Sequence, residues 1–232
     1  SYDTRNTEPR GAVIRVIDQT ELSPRVVLDR VQIDRLRWFQ VKRYFESGLL
    51  DQLPTELGDD SSIDSSTYFG VYKGDEVQAT ARIVRTASAL PMLEHHEIYP
   101  HIGELLEEAH GTVAEVSRLA VGSKTVRYDA LALLSREFLR FGLRSQDATL
   151  LIASVEKPLV RILNRILGVP LQVIGPAIEK YGAYNGECVP ILIDTVECLE
   201  NFQQQGSRQW AFFMEDLVID LTSIRRLQLH SN

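Results

Sequence analysis

Between residues 24 and 53 apolar positions recur at helical spacing, with Val31, Leu36, Phe39, Val41, Tyr44, Phe45 and Leu49 on successive turns and Pro54 at the end. The spacing predicts a helix there. Residues 55–66 (TELGDDSSIDSS) have no apolar period and read as a polar, acidic loop. A hairpin pattern follows, with strands at 67–72 (TYFGVY) and 77–84 (VQATARIV) joined by Lys73-Gly74-Asp75-Glu76. Residues 86–111 are irregular, with a short helix near 102–108. Then strands at 112–121 and 149–155 alternate with helices at 127–143 and 158–167. Two more strands are expected at 171–174 and 189–194, with Tyr181 and Tyr184 in a loop between them. Helices at 196–204 and 210–221 close the chain. Residues 1–23 form a lead-in with one alternating run at 12–17, and 24–155 and 156–232 form two halves of a single α+β domain.

Composition adds exclusions. With 44% apolar and 25% charged residues in 232, the chain is neither collagen-like, disordered nor a disulfide scaffold. No apolar run approaches the roughly 18–20 residues of a membrane span, and the polar first ten residues carry no secretory pattern, so a cytoplasmic protein is expected. Cys188 and Cys198 fit neither a disulfide framework nor a ligand spacing and are expected to be buried thiols. His95, His96 and His101 lack ligand partners at suitable spacing, so no metal is expected.

Charge is unevenly placed. The net charge of −7 argues against nucleic acid. Residues 118–165 nevertheless hold nine basic and four acidic side chains, a local +5 that leaves −12 for the rest. Arg136, Arg140 and Arg144 fall at i, i+4 and i+8, and Arg161 and Arg165 repeat the spacing. Such an island points to one localised anionic partner.

Four short motifs occur in a telling order. They are Leu36-Arg37-Trp38-Phe39-Gln40-Val41, Thr80-Ala81-Arg82-Ile83-Val84, Leu90-Pro91, and Glu115-Val116-Ser117-Arg118-Leu119-Ala120-Val121. Together with Asp60 and Asp64 in the acidic loop, they resemble the autoinducer-synthase branch of the GNAT acyltransferase superfamily, and within it the bacterial N-acyl amino acid synthases. The resemblance spans roughly residues 31–155. It implies a single-domain GNAT-like fold: a central, mixed, mostly antiparallel twisted sheet flanked by helices.

The same resemblance implies a chemistry. A fatty acyl thioester would meet the amine of an amino acid, an aromatic one such as tyrosine among the candidates, with no metal and no acyl-enzyme. A homoserine-lactone synthase using S-adenosylmethionine, or a non-catalytic GNAT-like binding module, is the alternative. Glu115, Ser117 and Arg118 are the catalytic candidates, Glu115 as the base that takes the amine's proton. Strand alternation puts Glu115 and Ser117 on one face and Val116 and Arg118 on the other, unless the bulge expected of GNAT folds intervenes. Arg37, Trp38, Asp64, Tyr68 and Arg82 are candidates for the acceptor site: arginine for the carboxylate, aspartate for the ammonium, aromatic rings for the side chain.

The loop 122–130 keeps one glycine, Gly122, where acetyl-CoA enzymes of the superfamily are glycine-rich. That departure favours an acyl carrier protein, which presents a single phosphate on its phosphopantetheine arm. Lys124, Arg127 and Tyr128 would meet that arm, and Arg136, Arg140, Arg144, Arg161 and Arg165 would dock the acidic carrier. No cofactor is bound permanently on this reading. The acyl chain would lie along Leu150, Ile152, Val155, Leu159, Ile162, Leu163 and Ile166.

Overall fold

The hairpin forms as its sequence dictates. In the computed structural model β2 (Ser66–Lys73) and β3 (Glu76–Arg85) pair antiparallel around a two-residue turn, with Gly74 at φ 60° in the first turn position. That positive φ is what a glycine supplies cheaply in a tight hairpin. The structure describes residues 21–60, 63–85, 113–122, 127–145, 149–168, 171–181, 184–204 and 208–214. The alternating run at 12–17, the short helix near 102–108, Leu90-Pro91 and the three histidines lie outside them.

Around the hairpin a larger sheet assembles. The other strands are β1 (Ser23–Val27), β4 (Val113–Val121), β5 (Leu150–Glu156), β6 (Gln172–Val173), β7 (Ile178–Tyr181) and β8 (Tyr184–Asp194). Their order is β1-β2-β3-β4-β5-β8-β6, with β7 also on β8. Among the described residues every pairing is antiparallel except β4 with β5. This is the mixed, mostly antiparallel sheet expected.

Two expectations need correction. The region 24–53 is not all helix: Ser23–Val27 is a strand on β2, and α1 is confined to Arg30–Glu46. The Asp29 carboxylate accepts the Gln32 N–H at 3.0 Å and starts the helix, and Gly48 at φ 79° follows its end. Likewise Tyr181 and Tyr184 do not sit in a loop between strands. Their backbones are paired positions of the β7–β8 ladder.

Helices cover both faces. α2 (Arg127–Ser145) and α3 (Lys157–Leu167) follow β4 and β5, and α4 (Thr195–Gln204) and α5 (Arg208–Met214) end the described chain. On one face Leu131, Leu134, Phe138 and Leu139 of α2 pack with Phe69, Ala81, Ile83 and Val116 in the main core. The Phe69 and Phe138 rings meet edge to face at 5.4 Å. On the other face Ile33 and Leu36 of α1 pack on Tyr68, Tyr72 and Ile63. Phe212 and Phe213 are buried, with Phe213 stacked on Phe202 at 4.6 Å.

The pairing of β4 with β5 is short. It runs from Val113↔Leu150 to Glu115↔Ile152, yet β4 continues to Val121 on β3 and β5 to Glu156 on β8. The sheet therefore splits beyond Glu115, and the candidate site lies in that split.

Candidate active site

A bulge in β4 sets the geometry. Between Thr80↔Ala120 and Arg82↔Ser117 the partner strand advances two residues while β4 advances three. The extra residue is accommodated at Arg118, whose φ is 55°, a left-handed conformation that a side chain makes costly. Simple alternation would send Arg118 to the α2 face with Val116. Instead its Nη2 lies 3.6 Å from Asp60 Oδ2, on the α1 side. The expected bulge is present, and it turns Arg118 toward the acidic loop.

Asp60 is the hub of that side. Arg82 Nη1 donates to both Asp60 oxygens at 3.2 Å, and Tyr68 Oη donates to Oδ2 at 2.9 Å. Arg82 Nε donates to Ser117 Oγ at 3.0 Å, which fixes Ser117 directly across the ladder from Arg82. The Asp60 and Arg82 side chains are each only 4% exposed. Taking two charges out of water is expensive, and removing one partner of such a pair typically costs about 3–5 kcal/mol. Burial first, and the Asp60 charge second, push the Tyr68 hydroxyl above its ordinary pKa, so it stays protonated as a donor.

The sequence places the acid one step too far along. Asp64 is exposed in a short 3-10 turn, Ile63–Ser65, and Asp60 holds the position proposed for the pair. The loop has no periodicity, so spacing alone does not separate the two. Trp38 also departs from expectation: it is an outward-facing residue of α1. Arg37, by contrast, is buried, donating to Asp34 Oδ1 at 3.0 Å and to the Gly58 carbonyl.

Opposite this polar cluster opens an apolar pocket of about 130 Å³. Glu115, Ser117 and Arg118 stand at its polar side, and Leu134, Phe138 and Leu139 of α2 form one wall. Glu115 is 1% exposed, with both carboxylate oxygens buried. Leu159 and Leu163 of α3 line the pocket as expected. From β5 the apolar lining is Leu151, Ala153 and Val155; Leu150 and Ile152 belong to the opposite face of the sheet, as alternation requires. Cys188 also borders the pocket, its thiol pushed up to about 11 by burial; Cys198 is pushed up to about 12 in the core.

α1 supplies side chains that the sequence did not single out. Tyr44 lines the pocket and donates to the Leu119 carbonyl at 3.0 Å. Arg43 donates to the carbonyls of Val121 at 3.1 Å and Gly122 at 3.2 Å. These carbonyls lie beyond the last β4–β5 pair, so side chains satisfy backbone that a neighbouring strand would otherwise satisfy. The signal was present as i, i+3 and i+7 spacing from Arg37 through Gln40 to Tyr44.

The basic island divides. Arg136 is buried beside Glu137 at 3.2 Å and lies over the Phe212 ring at 5.0 Å, and Arg140 Nε donates to the Phe213 carbonyl at 2.9 Å. These two clamp α5 to α2 and are not part of an open stripe, as their spacing led us to expect. Arg144 is exposed at the far end of α2; Arg127, Arg161 and Arg165 are exposed on α2 and α3. Tyr128 is half-buried beside Arg165, and burial, the largest influence, raises its pKa. Lys124 lies outside the described residues.

A family model described as "N-acyl amino acid synthase FeeM" matches residues 36–194, from the start of the Leu36-Arg37 motif to the end of β8. The chain belongs to the FeeM family of N-acyl amino acid synthases. It is accordingly an acyltransferase. No curated protein matches it. Among solved structures it is similar to FeeM, an N-acyl amino acid synthase from uncultured soil microbes, at 20% identity and a TM-score of 0.62, over 81% of this chain and 99% of that one. The AHL synthase LasI is similar at 19% identity and a TM-score of 0.56, over 77% and 94% of the two chains. TofI, solved with an inhibitor and MTA, is similar at 20% identity and 0.57, over 79% and 96%. These likenesses show that the chain shares its fold with FeeM, LasI and TofI.

Proposed function

We propose that the protein transfers a long-chain fatty acyl group from an acyl carrier protein thioester to the α-amine of a free amino acid. The observation that carries this reading is the split between β4 and β5, where an apolar pocket ends on Glu115, Ser117 and Arg118. An acyl chain fits the apolar walls, and its thioester would then lie beside the buried carboxylate. Glu115 takes the amine's proton as its nitrogen attacks the carbonyl carbon. The C–N bond forms, the C–S bond breaks, and the phosphopantetheine sulfur leaves as a thiol, taking the proton that Glu115 received. Backbone N–H groups at the bulge stabilise the oxyanion. Arg37 and the Asp60–Arg82–Tyr68 cluster bind the acceptor.

The carrier-protein donor is supported by the single glycine after β4, by exposed Arg127 at the start of α2 and by exposed Arg161 and Arg165 on α3, with Arg165 beside Tyr128. For an aromatic acceptor, Tyr68 is the ring at the cluster, whereas Trp38 is exposed on α1. Mass spectrometry of organic extracts from bacteria expressing the chain tests the whole reading. New N-acyl amino acids are expected, and they identify acceptor and chain length together. Acyl-homoserine lactones would overturn the acceptor; no acylated product from a folded, soluble chain would overturn the reaction in this host.

A further inference from the structure

We infer that Gln40 is an acceptor-recognition residue: its side-chain amide binds the carboxylate of the amino acid that receives the acyl group. The inference rests on the reaction proposed above and deepens it. Gln40 is 1% exposed on α1, and neither its Nε2 nor its Oε1 meets a hydrogen-bond partner among the described residues. A primary amide buried without partners forfeits its hydration and is costly. Its surroundings make this position notable. One turn before it, Arg37 reaches the Gly58 carbonyl, two residues from Asp60. One turn after it, Tyr44 reaches the Leu119 carbonyl, next to Arg118. Gln40 thus lies between the Asp60 hub and the Arg118 bulge, on the helix face packed against β3 and β4.

Arg37 gives the second observation. Its terminal nitrogens are committed to Asp34 and Gly58, while its buried Nε also lacks a partner among the described residues. Arg37 Nε–H and the Gln40 amide are three residues apart on one helix face, where side chains are neighbours. Both offer donors, one from a cation. A carboxylate accepts from the two at once, and the acceptor's amine is left free to reach the thioester. An α-amino acid carries these two groups two bonds apart; an amine without the carboxylate would leave the arginine and the amide unsatisfied.

The test compares an amino acid with its decarboxylated amine. Wild type and Gln40→Met are assayed with the amino acid that wild type acylates best and with the corresponding amine. The ratio of the two kcat/KM values is expected to fall about tenfold in the variant, through KM for the amino acid, with the amine's own value little changed. General damage would lower both alike. Gln40→Leu, a second apolar variant, should do the same, and both should melt no lower than wild type. If wild type is active and the ratio falls less than fivefold in both variants, the inference is overturned and the reaction stands. If wild type acylates no amino acid, the reaction itself fails and takes the inference with it.

Discussion

Glu115 shows how one residue's environment selects its role. It stands on the α1 face of β4, across the ladder from Val84, at the last rung that β4 shares with β5. There it is buried at the polar side of an apolar pocket, where a carboxylate can receive a proton from an attacking amine without competition from bulk water. Glu115→Gln keeps the shape and removes the carboxylate proposed as the base. Thioester cleavage, followed by thiol release, is expected to fall at least 100-fold, with the melting temperature little changed. An unchanged rate would assign the base elsewhere. Asp60 has a different task at the same scale. Held by Arg82, Tyr68 and Arg118, it is a fixed negative point that keeps two arginines aimed into one site.

Among the elements, the bulge in β4 matters most. Arg118 adopts φ 55°, and that backbone state is what brings its guanidinium to the Asp60 side. Arg118→Ala and Arg118→Gly both delete the guanidinium, so both should lose acylation. They differ in backbone cost: the glycine variant should be about 1 kcal/mol more stable than the alanine variant by urea denaturation. Equal stabilities would mean that the strained φ is not borne by residue 118.

Most elements were legible because their periodicity is strong: the hairpin, the strands and helices on either side of Gly122, and the helices after Asp194. β1 was not, because the apolar residues of Ser23–Val27 merge in sequence with those of α1 and only pairing to β2 separates them. β7 was hidden among tyrosines and glycines that a turn or a strand accommodates equally. Strand β4 was readable from its motif, whereas the choice of Asp60 over Asp64 depended on a loop without a repeat. Spacing put Arg136, Arg140 and Arg144 on one face of a helix; it contained nothing about α5, which covers two of them.

At the scale of the molecule, Arg127, Arg144, Arg161 and Arg165 are the exposed arginines of the basic island, and the two on α3 test the proposed docking of a carrier protein. Arg161 and Arg165 are one turn apart. The charge-reversed double variant Arg161→Glu/Arg165→Glu is expected to raise KM for an acyl carrier protein thioester at least tenfold and to weaken the salt dependence of that KM. Its rate with a small acyl-pantetheine thioester should stay near wild type. Parallel loss with both donors would place these arginines at the reacting groups instead of at a docking surface.

The three-rung junction between β4 and β5 has a consequence for how such a protein diversifies. The cluster around Asp60 is drawn from residues 37–118, while the β5, α3 and β8 walls of the pocket come from residues 151–193. Among the described residues the ladder joins the two sheet halves through the rungs Val113↔Leu150, Ala114↔Leu151 and Glu115↔Ile152, and Asn185 of β8 adds bonds from its N–H to the Leu49 carbonyl and from its Nδ2 to Asp51. The molecule is built like a book with a short spine. On the function proposed above, substitutions around Asp60 would then act on the acceptor and substitutions in the β5, α3 and β8 walls on the acyl chain, so the two specificities can be altered separately.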